Sequence, residues 1–200
     1  PIRNYALGFL GGSEASRYAI SGNWFDQQGI VVGSGFKRGS LRINLDNTLN
    51  SKLSLSTSVT LSRTMEESAR SSIGTWNGVM YMTLAAPPVA PVYKEDGSFY
   101  PLGNVPTAEP QWNNPMALAK GFLRNNVSNR ILANTNLTYS LHPDLTLSVR
   151  LGADNTNGRM DQYFSKILIG SDGQASVSSS NGTTFLNENI LSYKKSINEK

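Results

Sequence analysis

Leu145, Leu147, Val149, Leu151 and Ala153 alternate without a break with Thr146, Ser148, Arg150, Gly152 and Asp154. Successive side chains of an extended strand point to opposite faces, so this segment has one apolar and one polar face. The pattern recurs. Ile131, Ala133, Thr135, Leu137, Tyr139 and Leu141 alternate with Arg130, Asn134, Asn136, Thr138 and Ser140. Leu53, Leu55, Val59 and Leu61 alternate with Ser54, Ser56, Ser58 and Thr60, and Leu41, Ile43, Leu45 and Leu49 with Arg42, Asn44, Asp46 and Thr48. With three weaker segments, the alternation predicts seven strands near 4–11, 17–26, 36–49, 53–64, 129–142, 145–157 and 185–196.

The connections between them run 12–16, 27–35, 50–52, 65–127, 142–144 and 158–184, short and long in strict alternation. Successive connections of an antiparallel meander lie at opposite rims, so the tight turns gather at one rim and the extended loops at the other. Outer-membrane barrels are built this way. A β-sandwich also alternates along its strands, but it has no reason to sort loops by length. Only 16% of residues are charged and 38% are apolar, while Ser, Thr, Asn and Gly are abundant. Soluble domains carry about a quarter charged residues; a wall with lipid on one side and water on the other needs fewer. No run of about 18 apolar residues exists, so no transmembrane helix is predicted. Tyr5, Tyr18, Trp24, Phe36, Tyr139 and Tyr193 fall near strand ends, where aromatic girdles lie.

Seven strands are fewer than the roughly eight of the smallest bacterial barrels, and an open sheet in lipid leaves unpaired backbone groups at both edges. The expected fold is therefore all-β: a segment of a transmembrane antiparallel β-barrel, pairing at both edges with more strands of a longer polypeptide. One long external loop, 65–127, carries short helices. Within it, 76–86 has helical spacing at Val79, Met82 and Ala86 and halts at Pro87-Pro88. Residues 87–93 read as extended polyproline-like chain, Glu95-Asp96-Gly97-Ser98 as a turn, and 116–122 as a second short helix. Trp76, Tyr81, Tyr93, Tyr100 and Trp112 are the candidate ligand-contact residues, because aromatic faces stack on sugars and peptides alike; packing the loop onto itself is the competing role.

Catalytic chemistry needs convergent groups, and the sequence offers none. His142 is the only histidine and sits in a His-Pro-Asp turn, so no zinc site can be completed. There are no cysteines, and Asp154–Gly158 (DNTNG) lacks the spacing of a calcium loop and reads as an external turn. No cofactor, metal or nucleic-acid signature is present. Parity instead places Arg42, Asp46, Arg130, Arg150 and Asp154 on the polar face, which in a barrel is the lumen. There they tune passage, or pair with one another with no substrate role.

Several motifs together resemble one family. They are Gly11-Gly12-Ser13-Glu14 through Arg17-Tyr18-Ala19-Ile20-Ser21-Gly22, Phe25-Asp26-Gln27-Gln28-Gly29-Ile30-Val31, Phe36-Lys37-Arg38, and Leu41-Arg42-Ile43-Asn44-Leu45-Asp46. The loop adds Ala86-Pro87-Pro88, Tyr93-Lys94-Glu95-Asp96-Gly97-Ser98-Phe99-Tyr100 and Asn114-Pro115. This pattern is similar to the barrel of SusC-like TonB-dependent outer-membrane transporters. It departs at Ala15-Ser16 and at Gly39, where a bulkier residue is common. The resemblance implies a plugged barrel of about 22 strands in a Gram-negative outer membrane, energised through the TonB complex. It also implies a SusD-like surface lipoprotein that captures oligosaccharides or peptides, and no enzymatic activity. The plug is not recognisable in these residues, which would be early-to-middle barrel wall in a single barrel domain. The alternatives are a soluble or surface-attached β-sandwich that binds glycans and a diffusion porin without TonB coupling.

Overall fold

The computed structural model describes residues 1–70 and 78–195. Seven strands form one sheet in sequence order: β1 (Ile2–Gly12), β2 (Ser16–Gln28), β3 (Gly35–Asn50), β4 (Leu53–Glu67), β5 (Phe122–His142), β6 (Leu145–Phe164) and β7 (Gln174–Tyr193). Every neighbouring pair is antiparallel. Connections 13–15, 51–52 and 143–144 turn tightly at one rim, and 29–34, 68–121 and 165–173 lie at the other, the loop rim.

Directly paired residues share a face, so the register carries each face across the sheet. Phe9, Ile20, Ile43, Val59, Ala133, Ala153 and Phe185 form one unbroken apolar row through all seven strands. On the opposite face Ser21, Arg42, Thr60, Leu132, Asp154 and Thr184 form a mostly polar row. Bulges at Thr48/Asn50 and Ser140/His142 precede two of the tight turns and adjust the register there. Gly12 closes β1 at φ 147°, where an added Cβ would lie 2.2 Å from the Ser16 carbonyl oxygen, so only glycine fits.

The apolar face has no cover. Leu7 is 66% exposed, Phe9 59%, Leu151 50% and Phe185 78%. Covering an apolar side chain of this size is worth about 1.5–3 kcal/mol, so rows of them left in water would be strongly unfavourable. A sandwich would press this face against a second sheet; among the described residues there is one layer only. The buried hydrophobic residues lie instead at the loop rim and not on the apolar rows.

The strands reach further toward the loop rim than the alternation predicts. Strand β4 continues to Glu67, β5 begins at Phe122, β6 continues to Phe164 and β7 begins at Gln174. The expected connections 65–127 and 158–184 shrink to 68–121 and 165–173. Asp154–Gly158 is strand and not an external turn: Asp154 pairs with Leu132 and Gly158 with Ser128. The upper strands carry Asn, Ser and Thr on both faces, so they lack the two-faced pattern that reveals a strand in sequence, while their ladder hydrogen bonds continue unchanged.

Gly39, the departure from the family pattern, pairs with Trp24, and a Cβ there would lie 3.4 Å from the indole. The indole takes the space that a larger residue would fill. Tyr18 covers Gly11 in the same way. A large ring laid over a strand glycine restores the packing that the glycine forgoes.

Candidate functional site at the polar face and loop rim

Register places Arg42, Asp46, Arg130, Arg150 and Asp154 together on the polar face. They do not form one cluster. Arg130 grips Asp154 diagonally across β5 and β6 in a bidentate pair, Nε donating to Oδ1 at 2.9 Å and Nη2 to Oδ2. Arg150 donates from Nη1 to Glu188 on β7 at 2.8 Å. Arg42 turns along its own strand and donates to Asn44 Oδ1 at 3.4 Å. Asp46 lies opposite Arg17 in register and forms no ion pair among the described residues. Arg42, Asp46 and Arg150 line a shallow trough floored by Ser56, Ser58, Asn134 and Asn136. Such a surface is wet, hydrogen-bonding and of mixed charge.

Glu188 was not a sequence candidate. Leu186 and Ile190 share its face, which blurs the alternation of β7. Counting parity back from Tyr193 is the one signal that would have found it.

At the loop rim the three long connections meet in a small apolar core. Helix α1 (Val79–Ala85) buries Val79 and Met82, and ends before Pro87, since the residue preceding a proline is steered out of helical conformation. Helix α2 (Pro115–Gly121) starts on Asn114, whose Oδ1 accepts from the Met116 N–H at 2.9 Å, with proline in the first turn. It buries Ala117, Leu118 and Ala119. Leu102 joins from a short 3-10 turn, Leu168 from 165–173, and Val31 packs in from 29–34. Phe122 and Phe164 meet beneath this cap with ring centroids 4.9 Å apart.

Two buried asparagines tie the cap. Asn114 Nδ2 donates to the carbonyls of Val92 at 2.9 Å and Tyr100 at 3.2 Å, so it holds both arms of the 93–99 hairpin. Asn113 Oδ1 accepts from the Ile169 N–H at 2.7 Å. The hairpin turns at Gly97 with φ 80°. Ser98 donates to the Asp96 carboxylate from its hydroxyl at 2.6 Å and its backbone N–H at 2.8 Å, which holds the Asp96 pKa below its ordinary value. The expected extended run over 87–93 is broken, because the Ala90 N–H donates to the Pro87 carbonyl at 3.0 Å and makes a turn.

The aromatic candidates occupy different places. Tyr81 and Trp112 pack against the cap core. Tyr100 is half-buried against the Asn114 latch. Tyr93 stacks on Phe99 at 5.3 Å and stays 43% exposed, with the Lys120 ammonium 5.9 Å from its ring centroid. Trp76 lies outside the described residues. Asn113, Val31 and Leu168, which join the loops, carried no signal, since a lone residue in a loop has no periodicity to reveal it. Among the described residues no group of three or more side chains could hold a metal ion, and no helix is long and apolar enough to cross a membrane.

No family model matches the chain. Two curated relatives from Formosa agariphila do. TonB-dependent receptor P26 is 29% identical over 204 residues, covering 100% of this chain and 20% of the relative, and TonB-dependent receptor P3 is 27% identical over 202 residues, covering 98% and 20%. The chain thus spans about a fifth of the length of these relatives. Among solved structures, the RagAB peptide transporter superposes with a TM-score of 0.82 at 21% identity, covering 100% of this chain and 23% of that one. The RagAB peptide importer in its open-open state gives 0.80 at 20% identity, covering 98% and 22%. The sequence relatives are named as receptors, and the solved structures share the fold. A single two-faced sheet, matched along its whole length by these relatives, has the fold of a stretch of β-barrel wall and is similar in sequence to TonB-dependent receptors.

Proposed function

We propose that the whole protein is an outer-membrane importer of peptides or oligosaccharides, driven through TonB and closed by a SusD-like surface lipoprotein. Residues 1–200 contribute wall and mouth to its one barrel domain. The apolar rows face lipid, the face carrying Arg42, Asp46, Arg130, Arg150 and Asp154 faces the lumen, and the cap stands at the external mouth. The observation that carries this reading is the pairing of an uncovered apolar face with a polar face that bears ion pairs in one layer. Only a closed wall between lipid and water makes both faces favourable at once. Tyr93, exposed on the cap hairpin, is the aromatic best placed to stack on an incoming ligand; Tyr81, Tyr100 and Trp112 support the cap. Peptides are the first class to try, because the RagAB structures are described as a peptide transporter and importer.

The test is uptake by cells that carry the full-length protein, compared with cells from which it is deleted. Labelled peptides and oligosaccharides are supplied with and without a collapsed proton gradient. Accumulation that needs both the protein and the gradient supports coupled import. Uptake that persists without the gradient marks a diffusion channel and sinks the TonB coupling. Copurification of a surface lipoprotein with the intact receptor tests the lid.

A further inference from the structure

The apolar face changes character in a single step near the loop rim. Leu7, Gly22, Leu41, Leu61 and Ile131 form one row across β1 to β5. The next row toward the loops is Tyr5, Trp24, Gly39, Arg63 and Asn129, and the row beyond it contains Asp26, Lys37, Met65 and Val127. Arg63 and Lys37 thus stand on the outward face just above the last apolar row. A cation facing lipid costs about 2–4 kcal/mol at the midplane and roughly 0–1 near the interface, so their height marks the headgroup level of the outer leaflet. Trp24 and Tyr5, aromatics of the girdle kind, share that height.

At this boundary the outward face is dented. A shallow crevice is lined by Gly39, Leu41, Leu61 and Ile131, with Arg63 and Asn129 at its upper lip. The Trp24 indole, laid over Gly39, stands at the flank of the crevice. Arg63 and Lys37 are exposed and form no ion pair among the described residues. The nearest acids on this face are Asp26, opposite Lys37, and Glu67 at the end of β4, opposite Gly35.

An apolar floor below and a guanidinium with an amide above match an amphiphile with an anionic head. We propose that this crevice holds one phosphate-bearing lipid of the outer leaflet. The Arg63 fork receives the phosphate, with Lys37 as a second charge and the Asn129 amide beside it. One acyl chain runs down beside the Trp24 indole between Leu41, Leu61 and Ile131. A planar guanidinium pairs with phosphate through two parallel N–H donors, which favours phosphate over a neutral headgroup. The site rests on the barrel reading, because only then does this face meet lipid.

The test uses the full-length receptor, purified in detergent and stripped of lipid. Retention of monophosphoryl lipid A is compared by native mass spectrometry with retention of the same lipid after phosphatase treatment. Wild type should hold the phosphorylated lipid about tenfold more tightly. Arg63→Gln with Lys37→Gln should abolish that preference, Arg63→Lys should weaken it, and Gly39→Leu should reduce binding of both lipids. Equal binding of the two lipids by wild type overturns the proposal without recourse to any variant. A preference unchanged in the double variant overturns it as well, because the phosphate then sits elsewhere. Mobility of unboiled protein on a gel separates the two failures. A receptor that shows no compact barrel form refutes the barrel reading, whereas a folded barrel without lipid preference refutes only the site.

Discussion

Asn113 reaches out of the 68–121 connection and accepts the backbone N–H of Ile169 in the 165–173 connection at 2.7 Å. The two loops are joined by this bond, by the Ser165 N–H donating to the Gly121 carbonyl at 2.8 Å, and by the packing of Leu168. Asn113 is only 3% exposed, which removes water as a substitute partner. Its neighbour Asn114 makes the corresponding tie to the 93–99 hairpin. An adjacent pair of short amides thereby sets the shape of the cap at the loop rim.

Asn113→Ala should remove the side-chain acceptor of the Ile169 N–H, at a cost of about 0.5–1.5 kcal/mol confined to the cap. Hydrogen exchange on the intact receptor should show faster exchange across 167–171 and no change in the strands. Unchanged exchange in that loop would mean that apolar packing and the Ser165–Gly121 backbone bond hold it without Asn113. Asn114→Asp keeps the acceptor for the Met116 N–H and loses both donated bonds, so it should loosen 92–100 while α2 persists.

The two faces predict opposite outcomes for the same new charge. Leu151 lies on the apolar face and Ser148 on the polar face of one strand. Leu151→Arg should destabilise the folded barrel by about 2–4 kcal/mol, as arginine at the lipid midplane does. Ser148→Arg should have little effect. The yield of heat-modifiable protein in outer membranes reads both, and equal losses would contradict the assignment of faces.

The Arg130–Asp154 pair is bidentate yet its side chains are 51% and 32% exposed in this chain, so its coupling should be modest. A double-mutant cycle with Arg130→Gln and Asp154→Asn, followed by urea unfolding of the intact barrel, should give about 0.2–1 kcal/mol. A larger coupling would show that the rest of the protein buries the pair.

Asp96 should make the cap hairpin acid-sensitive. The hydrogen bonds from Ser98 hold its folded pKa below the ordinary value of 3.8. Its contribution is therefore fully present above that value and lost as pH falls through the lower, folded pKa. Protection of the 94–98 amides, corrected for intrinsic exchange, should be level from neutral pH downward and then fall only in strong acid. Asp96→Ala should remove that pH dependence.

Much of this protein is written in local order. The parity of Leu145 to Asp154 assigns each side chain to a face before any partner strand is known, because successive residues of an extended chain must point opposite ways. The tight turns are legible for the same reason, since each depends on residues close in sequence. Pairing across strands is not. Whether Arg150 meets Glu188 or some other carboxylate depends on the registers set by turns and by the bulges at Thr48/Asn50 and Ser140/His142. The polar upper half of β6, including Asp154–Gly158, reads as loop in sequence, and only its ladder with Ser128 to Leu132 makes it strand. The cap belongs wholly to tertiary structure: Val31, Met82, Asn113 and Leu168 come from connections far apart in the chain, and their burial exists only once the sheet has brought its loop rim together.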